Sequence, residues 1–110
     1  MLFRKWRSVA KVGDVAPGAV IPVTVDGIDL ALGRDGERYF ATQRTCVHRA
    51  GDLSQGTIRR GELVCPQHGW RFSTETGRLV SVMDHCLTVY DVRVRGDQIE
   101  VDPVPRKRGR

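Results

Sequence analysis

The residues able to do chemistry in this chain are few and close together: Cys46-Val47-His48 and Cys65-Pro66-Gln67-His68. Sixteen residues separate His48 from Cys65, so the pattern is C-x-H-x16-C-x2-H. Two thiolates and two imidazoles, paired cysteine-then-histidine on two short loops, supply the four donors of a metal site. Zinc takes the same ligand types tetrahedrally, but zinc fingers pair cysteine with cysteine and histidine with histidine. The alternating order here fits that arrangement poorly. An accidental grouping fits worse, because the chain has three cysteines and three histidines and four of the six fall into one register.

Iron–sulfur clusters are normally held by four cysteines, and in the Rieske type two histidines replace two of them on one iron. The chain resembles Rieske proteins in these four residues, and further in the continuation His68-Gly69-Trp70-Arg71-Phe72. The resemblance implies one [2Fe–2S] cluster, with Cys46 and Cys65 on one iron and His48 and His68 on the other. Two ferric ions, two sulfides and two thiolates sum to zero charge. Adding an electron to a neutral cluster costs less in a low-dielectric site than adding it to an anion. Potentials of this type accordingly run from about −150 to +300 mV, against about −400 mV for plant-type clusters.

The elements that must position these residues read as all-β. Short β-branched and aromatic runs alternate with turn dipeptides. Strands are expected at Trp6–Val12, Ala19–Val25, Ile28–Gly33 and Arg38–Gln43 before the first pair of donors. Trp70–Ser73, Leu79–Val82, Leu87–Val94 and Gln98–Asp102 follow the second. Asp26-Gly27 and Asp35-Gly36 are hairpin signals, and Pro22 marks an edge strand or a bulge. No sustained 3.6-residue apolar period occurs, so helix is minor. The resemblance, over roughly residues 2–102, implies an antiparallel sandwich carrying a small inserted cluster-binding subdomain at about 44–72. We read one domain over 1–102 and a basic, disordered tail over 103–110, which has two prolines and a charge run.

The net charge of +5 is unevenly spread. Arg4, Lys5, Arg7 and Lys11 at one end and Arg106, Lys107, Arg108 and Arg110 at the other are unopposed by acids. Removing those eight from the 18 basic residues leaves ten against 13 acidic ones, so the body is mildly acidic. Within it, Arg44, Arg49, Arg59, Arg60 and Arg71 face only Asp52 and Glu62 across the metal-site stretch. The absence of a long apolar run or an apolar leader, and the single cysteine, Cys86, that remains once two of three serve as ligands, lead us to expect a cytoplasmic protein with no membrane span and no structural disulfide.

High-potential Rieske proteins join their two loops by a disulfide and place hydroxyl donors just after the last histidine. Here Gly51 and Gln67 stand at the matching disulfide positions, and Trp70 and Phe72 where the hydroxyls would be. Hydrogen bonds to sulfur stabilise the reduced cluster, so their loss points to the low-potential branch. The family's proline-containing cover loop is replaced by Val82-Met83-Asp84-His85-Cys86. We read Cys86 as a small buried hydrophobe and His85 as a loop residue. Gly51 and Gly69 are read as serving the cluster by letting the backbone approach it.

Three histidines cannot supply both a cluster and the two-histidine, one-carboxylate iron of an oxygenase, so no catalytic residue is assigned. The resemblance implies a monomeric ferredoxin that passes electrons from a flavin-dependent reductase to a terminal oxygenase. The alternatives are the small Rieske-like subunit of an assimilatory nitrite reductase and, from another class, a zinc-stabilised nucleic-acid-binding module. The latter is disfavoured because aromatic residues make up only 6% of the chain and no nucleic-acid motif occurs. Docking is expected at a positive tip where His48 and His68 are bordered by Arg44, Arg49 and Arg59 or Arg60.

Overall fold

A computed structural model describes residues 5–46, 51–67, 69–79 and 86–106. Nine antiparallel strands make up the described chain, with only two three-residue 3-10 turns besides. They are β1 (Arg7–Lys11), β2 (Val20–Val25), β3 (Ile28–Asp35), β4 (Arg38–Gln43), β5 (Thr57–Arg59), β6 (Glu62–Val64), β7 (Arg71–Ser73), β8 (Val89–Arg95) and β9 (Gln98–Pro105).

Six strands form one sheet in the order β1-β9-β8-β4-β3-β2. A single core cluster draws on all six: Ala10, Val25, Leu30, Leu32, Ala41, Tyr90 and Ile99 among its members. The sheet therefore curls around its own interior. Its two outer strands approach closely enough for Arg7 of β1 to meet Asp26, just past β2, at 3.3 Å. Pro22 lies in the edge strand β2, where a missing N–H can face away from the ladder. Asp26 and Gly27 have φ of 49° and 79°, the paired positive values of a type I′ turn, which matches the strand twist.

Between β4 and β8 the chain builds the second sheet, β5-β6-β7. It packs on the outer side of β3 and β4, through a second cluster that includes Ala31, Phe40, Leu53, Leu63, Phe72 and Leu87. Side chains alternate across a strand, so Leu30 and Leu32 face the inner core while Ala31 faces this outer one. Being covered on both faces is why the middle of β3, Leu30-Ala31-Leu32-Gly33, is apolar and buried without a break. Gly33 pairs with Phe40, and a Cβ on Gly33 would fall 2.3 Å from the Phe40 ring. The aromatic ring occupies the space the glycine leaves.

Two expectations need correction. Strands β5 and β6 were not foreseen. They are three residues long, and their joining turn Arg60-Gly61 sits among charged residues, so no run of alternation marked them. The other concerns the tail expected to begin at 103. β9 continues to Pro105, with Pro105 opposite Tyr90 across a bulge. β1 covers β9 only as far as Val101, so beyond it β9 has an open side on which proline costs no ladder bond. Arg106 then donates to Asp91 at 2.8 Å and to the Glu75 carbonyl at 2.7 Å. At Leu79–Val82 only a bridge from Leu79 to Phe72 is found, the remainder lying outside the described residues.

Candidate metal centre

Each cysteine follows a strand of a different sheet. Cys46 lies three residues past β4, and Cys65 comes directly after β6. Both side chains are buried, 2% and 1% exposed, among Leu53, Leu63, Phe72, Leu79 and Leu87. The two loops are closed in the same way. The Cys46 N–H donates to the Gly51 carbonyl and the Cys65 N–H to the Trp70 carbonyl, each at 2.7 Å and each across five residues. The chain thus pinches off two short loops of equal span, each with a buried thiol at its root. His48, Arg49 and His68 fall within these loops but outside the described residues, and His85 also lies outside them.

The loops meet at Gly51. A Cβ there would stand 2.9 Å from Cys65 Sγ and 3.6 Å from the Cβ of Gln67. The first distance is closer than real Cβ contacts allow, so glycine leaves the room that the second loop's sulfur takes. The second distance falls in the roughly 3.5–4.5 Å range of disulfide Cβ pairs. Gly51 and Gln67 are therefore placed as the disulfide positions of the high-potential class would be, with neither cysteine present. Gly69 is required for another reason: its φ of 68° lies in the left-handed region that favours glycine.

The first loop is braced from outside. Arg44 donates through Nε and Nη2 to the two oxygens of Asp52, both at 3.1 Å. Asp52 also accepts from the Ser54 amide at 3.0 Å and the Ser54 hydroxyl at 2.6 Å, which caps the 3-10 turn Leu53–Gln55. The Arg44 hydrogen bond, then that of Ser54, holds the Asp52 carboxyl down at about 2. Arg44 is likewise raised by the same partner. Its charge is thus answered locally. Arg71 pairs similarly with Glu62 at 3.5 Å. Cys86 is half-buried rather than buried, its sulfur 3.5 Å from the Thr76 carbonyl.

Residues 5–91 match the family model described as the Rieske [2Fe-2S] domain. The chain belongs to that family. The Rieske chain is 32% identical to the ferredoxin component of a naphthalene 1,2-dioxygenase system from Pseudomonas aeruginosa, over 89% of its own length and 95% of the relative's. It is also similar to the solved ferredoxin of carbazole 1,9a-dioxygenase from Nocardioides aromaticivorans IC177. There the TM-score is 0.83 and the identity 30%, covering 91% of this chain and 99% of that one. A chain in a solved complex of reduced oxygenase and oxidized ferredoxin of carbazole 1,9a-dioxygenase gives a TM-score of 0.84 at 31% identity, covering 96% and 99%.

The donor set fits the family's cofactor. Two thiols buried in an apolar shell, on loops brought against each other where a bare glycine makes room, suit a neutral cluster shielded from water. Such a shell lowers the local dielectric and excludes solvent, both of which tune the potential of a bound centre.

Proposed function

We propose that this chain is a one-electron carrier that holds one Rieske-type [2Fe–2S] cluster and passes electrons from a flavin-dependent reductase to a terminal oxygenase. Cys46 and Cys65 would hold one iron, and His48 and His68 the other. The observation that carries the reading is the meeting of the two cysteine loops, with Gly51 bare against Cys65 Sγ. The names of relatives matched over almost their whole length support it, as does the oxygenase–ferredoxin complex formed by one of them.

When bound, the cluster takes up and returns a single electron. The chain's own part is to position and shield. Leu53, Leu63, Phe72 and Leu87 exclude water around the thiols, and the Arg44–Asp52–Ser54 brace holds the base of the first loop. No described helix is long and apolar enough to cross a membrane.

The test is analytical and spectroscopic. Protein purified without oxygen should be red-brown and hold about two iron and two acid-labile sulfides per chain, as the cluster type requires. Its reduced form should give a rhombic paramagnetic spectrum with low average g. Colourless protein with one tightly bound zinc would overturn the reading.

A further inference from the structure

Strand alternation divides the small sheet into two faces. Ile58, Leu63 and Phe72 turn inward onto the shell of the thiols. Thr57, Arg59, Glu62, Val64 and Arg71 turn outward and, with Arg60 and Gly69, line a shallow dish of about 470 Å³. Gly69 belongs to the second cysteine loop, so the dish adjoins the proposed metal centre.

Charge in the dish is only partly balanced. Glu62 is answered by Arg71 at 3.5 Å, whereas neither Arg59 nor Arg60 has an ion-pair partner among the described residues. Arg60 is moreover held at φ 51°, a left-handed conformation that arginine adopts at a cost. Two exposed guanidiniums without an ion-pair partner among the described residues thus lie on one face, at the hairpin end of β5 and β6, across the dish from the loop that carries Cys65.

We infer that the outer face of β5-β6-β7 is the docking surface for the electron-donating reductase, which would present a carboxylate-rich patch to Arg59 and Arg60. The inference rests on the carrier reading above. Charge decides between donor and acceptor. The oxidised cluster is neutral and the reduced one carries an extra negative charge, so an acidic partner binds the oxidised carrier more tightly. Such a partner captures the carrier before it is reduced and releases it afterwards, as a donor must. An acidic acceptor would instead hold the spent carrier. Nucleic acid fits less well, since the dish has no aromatic side chain on which a base could stack and includes the carboxylate of Glu62.

The experiment uses the cluster-loaded protein and flavin reductases of naphthalene- and carbazole-type dioxygenase systems, taking whichever reduces the wild type fastest. Arg59→Glu/Arg60→Glu should slow the second-order rate of cluster reduction roughly tenfold or more at low salt, with the difference closing at about 0.5 M as charges are screened. Arg59→Lys/Arg60→Lys should keep most of the rate, and the visible spectrum and potential of both variants should match the wild type. Arg95→Glu, at the far end of β8 from the cysteine loops, should change the rate less than twofold. Reoxidation by the matching oxygenase should be unaffected by the charge reversal, and the reductase should bind the reduced carrier more weakly than the oxidised one. An unchanged reduction rate at low salt overturns the inference. So does slowed reoxidation in place of slowed reduction, which would assign the face to the oxygenase. So does wild-type retention on a DNA column that the charge reversal abolishes while reduction stays intact. Loaded wild type that no reductase reduces sinks the carrier reading, whereas reduction indifferent to Arg59 and Arg60 sinks this inference alone.

Discussion

At position 51 the space a methyl group would fill is taken by the sulfur of Cys65, 2.9 Å away. Gly51→Ala should therefore force the loops apart, and iron content measured on purified protein should fall by more than half. Replacing Cys46, His48, Cys65 or His68 by alanine should each abolish the cluster spectrum, while Cys86→Ala should retain it. Asp52 makes a different kind of contribution. Its carboxyl is held at about 2 against an ordinary 3.8, first by Arg44 and then by Ser54. A depressed folded-state value gives stability that is complete above the unfolded value and is lost as pH falls through the folded one. The stability gap between wild type and Asp52→Asn, from urea unfolding, should thus be constant above about pH 5 and close between about pH 4 and pH 2. A gap that persists below pH 2 would show that packing, not charge, is what Asp52 supplies.

Among the elements, the turns carry the tightest constraints. Gly77 has φ 82°, and a Cβ there would meet the Leu87 carbonyl oxygen at 2.5 Å. Its own N–H donates to the Ser73 carbonyl at 2.8 Å, and its carbonyl accepts from the Leu87 N–H at 2.8 Å. It therefore ties the end of β7 to the approach of β8. Gly77→Ala combines left-handed strain with a clash against backbone, and we expect a loss of roughly 2–4 kcal/mol by chemical denaturation. The end of β9 is a second such place. Removing residues 103–110 takes away the Pro105–Tyr90 pairing and the Arg106–Asp91 contact. That truncation should lower the melting temperature, whereas a tail outside the fold would leave it unmoved.

For the molecule as a whole, the curled six-stranded sheet is a platform and the small sheet a clamp set on its outer face. The second core cluster contains Cys46 and Cys65 and side chains from both sheets, so the proposed centre would lie where the two sheets meet. Trp70 packs against this cluster and Phe72 is fully buried in it, and neither offers a hydroxyl to a sulfur. Ser54, just beyond the first loop, spends its hydroxyl on Asp52. A reduced cluster held here would therefore lack stabilising hydroxyl donors from these positions. We expect a midpoint potential of about −150 mV, at the low end of the Rieske range, and nearly constant with pH around neutrality. Protein-film voltammetry checks both; a midpoint well above zero would mean that other donors reach the sulfurs.

What the linear chain determined is what depends on residue type and short spacing. The proposed donors Cys46, His48, Cys65 and His68 are named by type and spacing, and the hairpin by Asp26-Gly27 and the β-branched runs beside it, because ligand chemistry and turn geometry are local. The match of Gly51 to Gln67 is legible only through the resemblance; that a Cβ at position 51 would face that of Gln67 depends on how the fold brings two loops together, which spacing alone does not show. Strands β5 and β6 escaped notice because three-residue strands show almost no alternation until a neighbour covers one face. The pairing of Arg44 with Asp52 and the ordered run to Arg106 were equally hidden, since each depends on a partner that only folding brings near. Charge shows the division most clearly. The sequence lists five arginines around the site, and the tertiary structure decides that Arg44 and Arg71 are answered by carboxylates while Arg59 and Arg60 are left facing solvent.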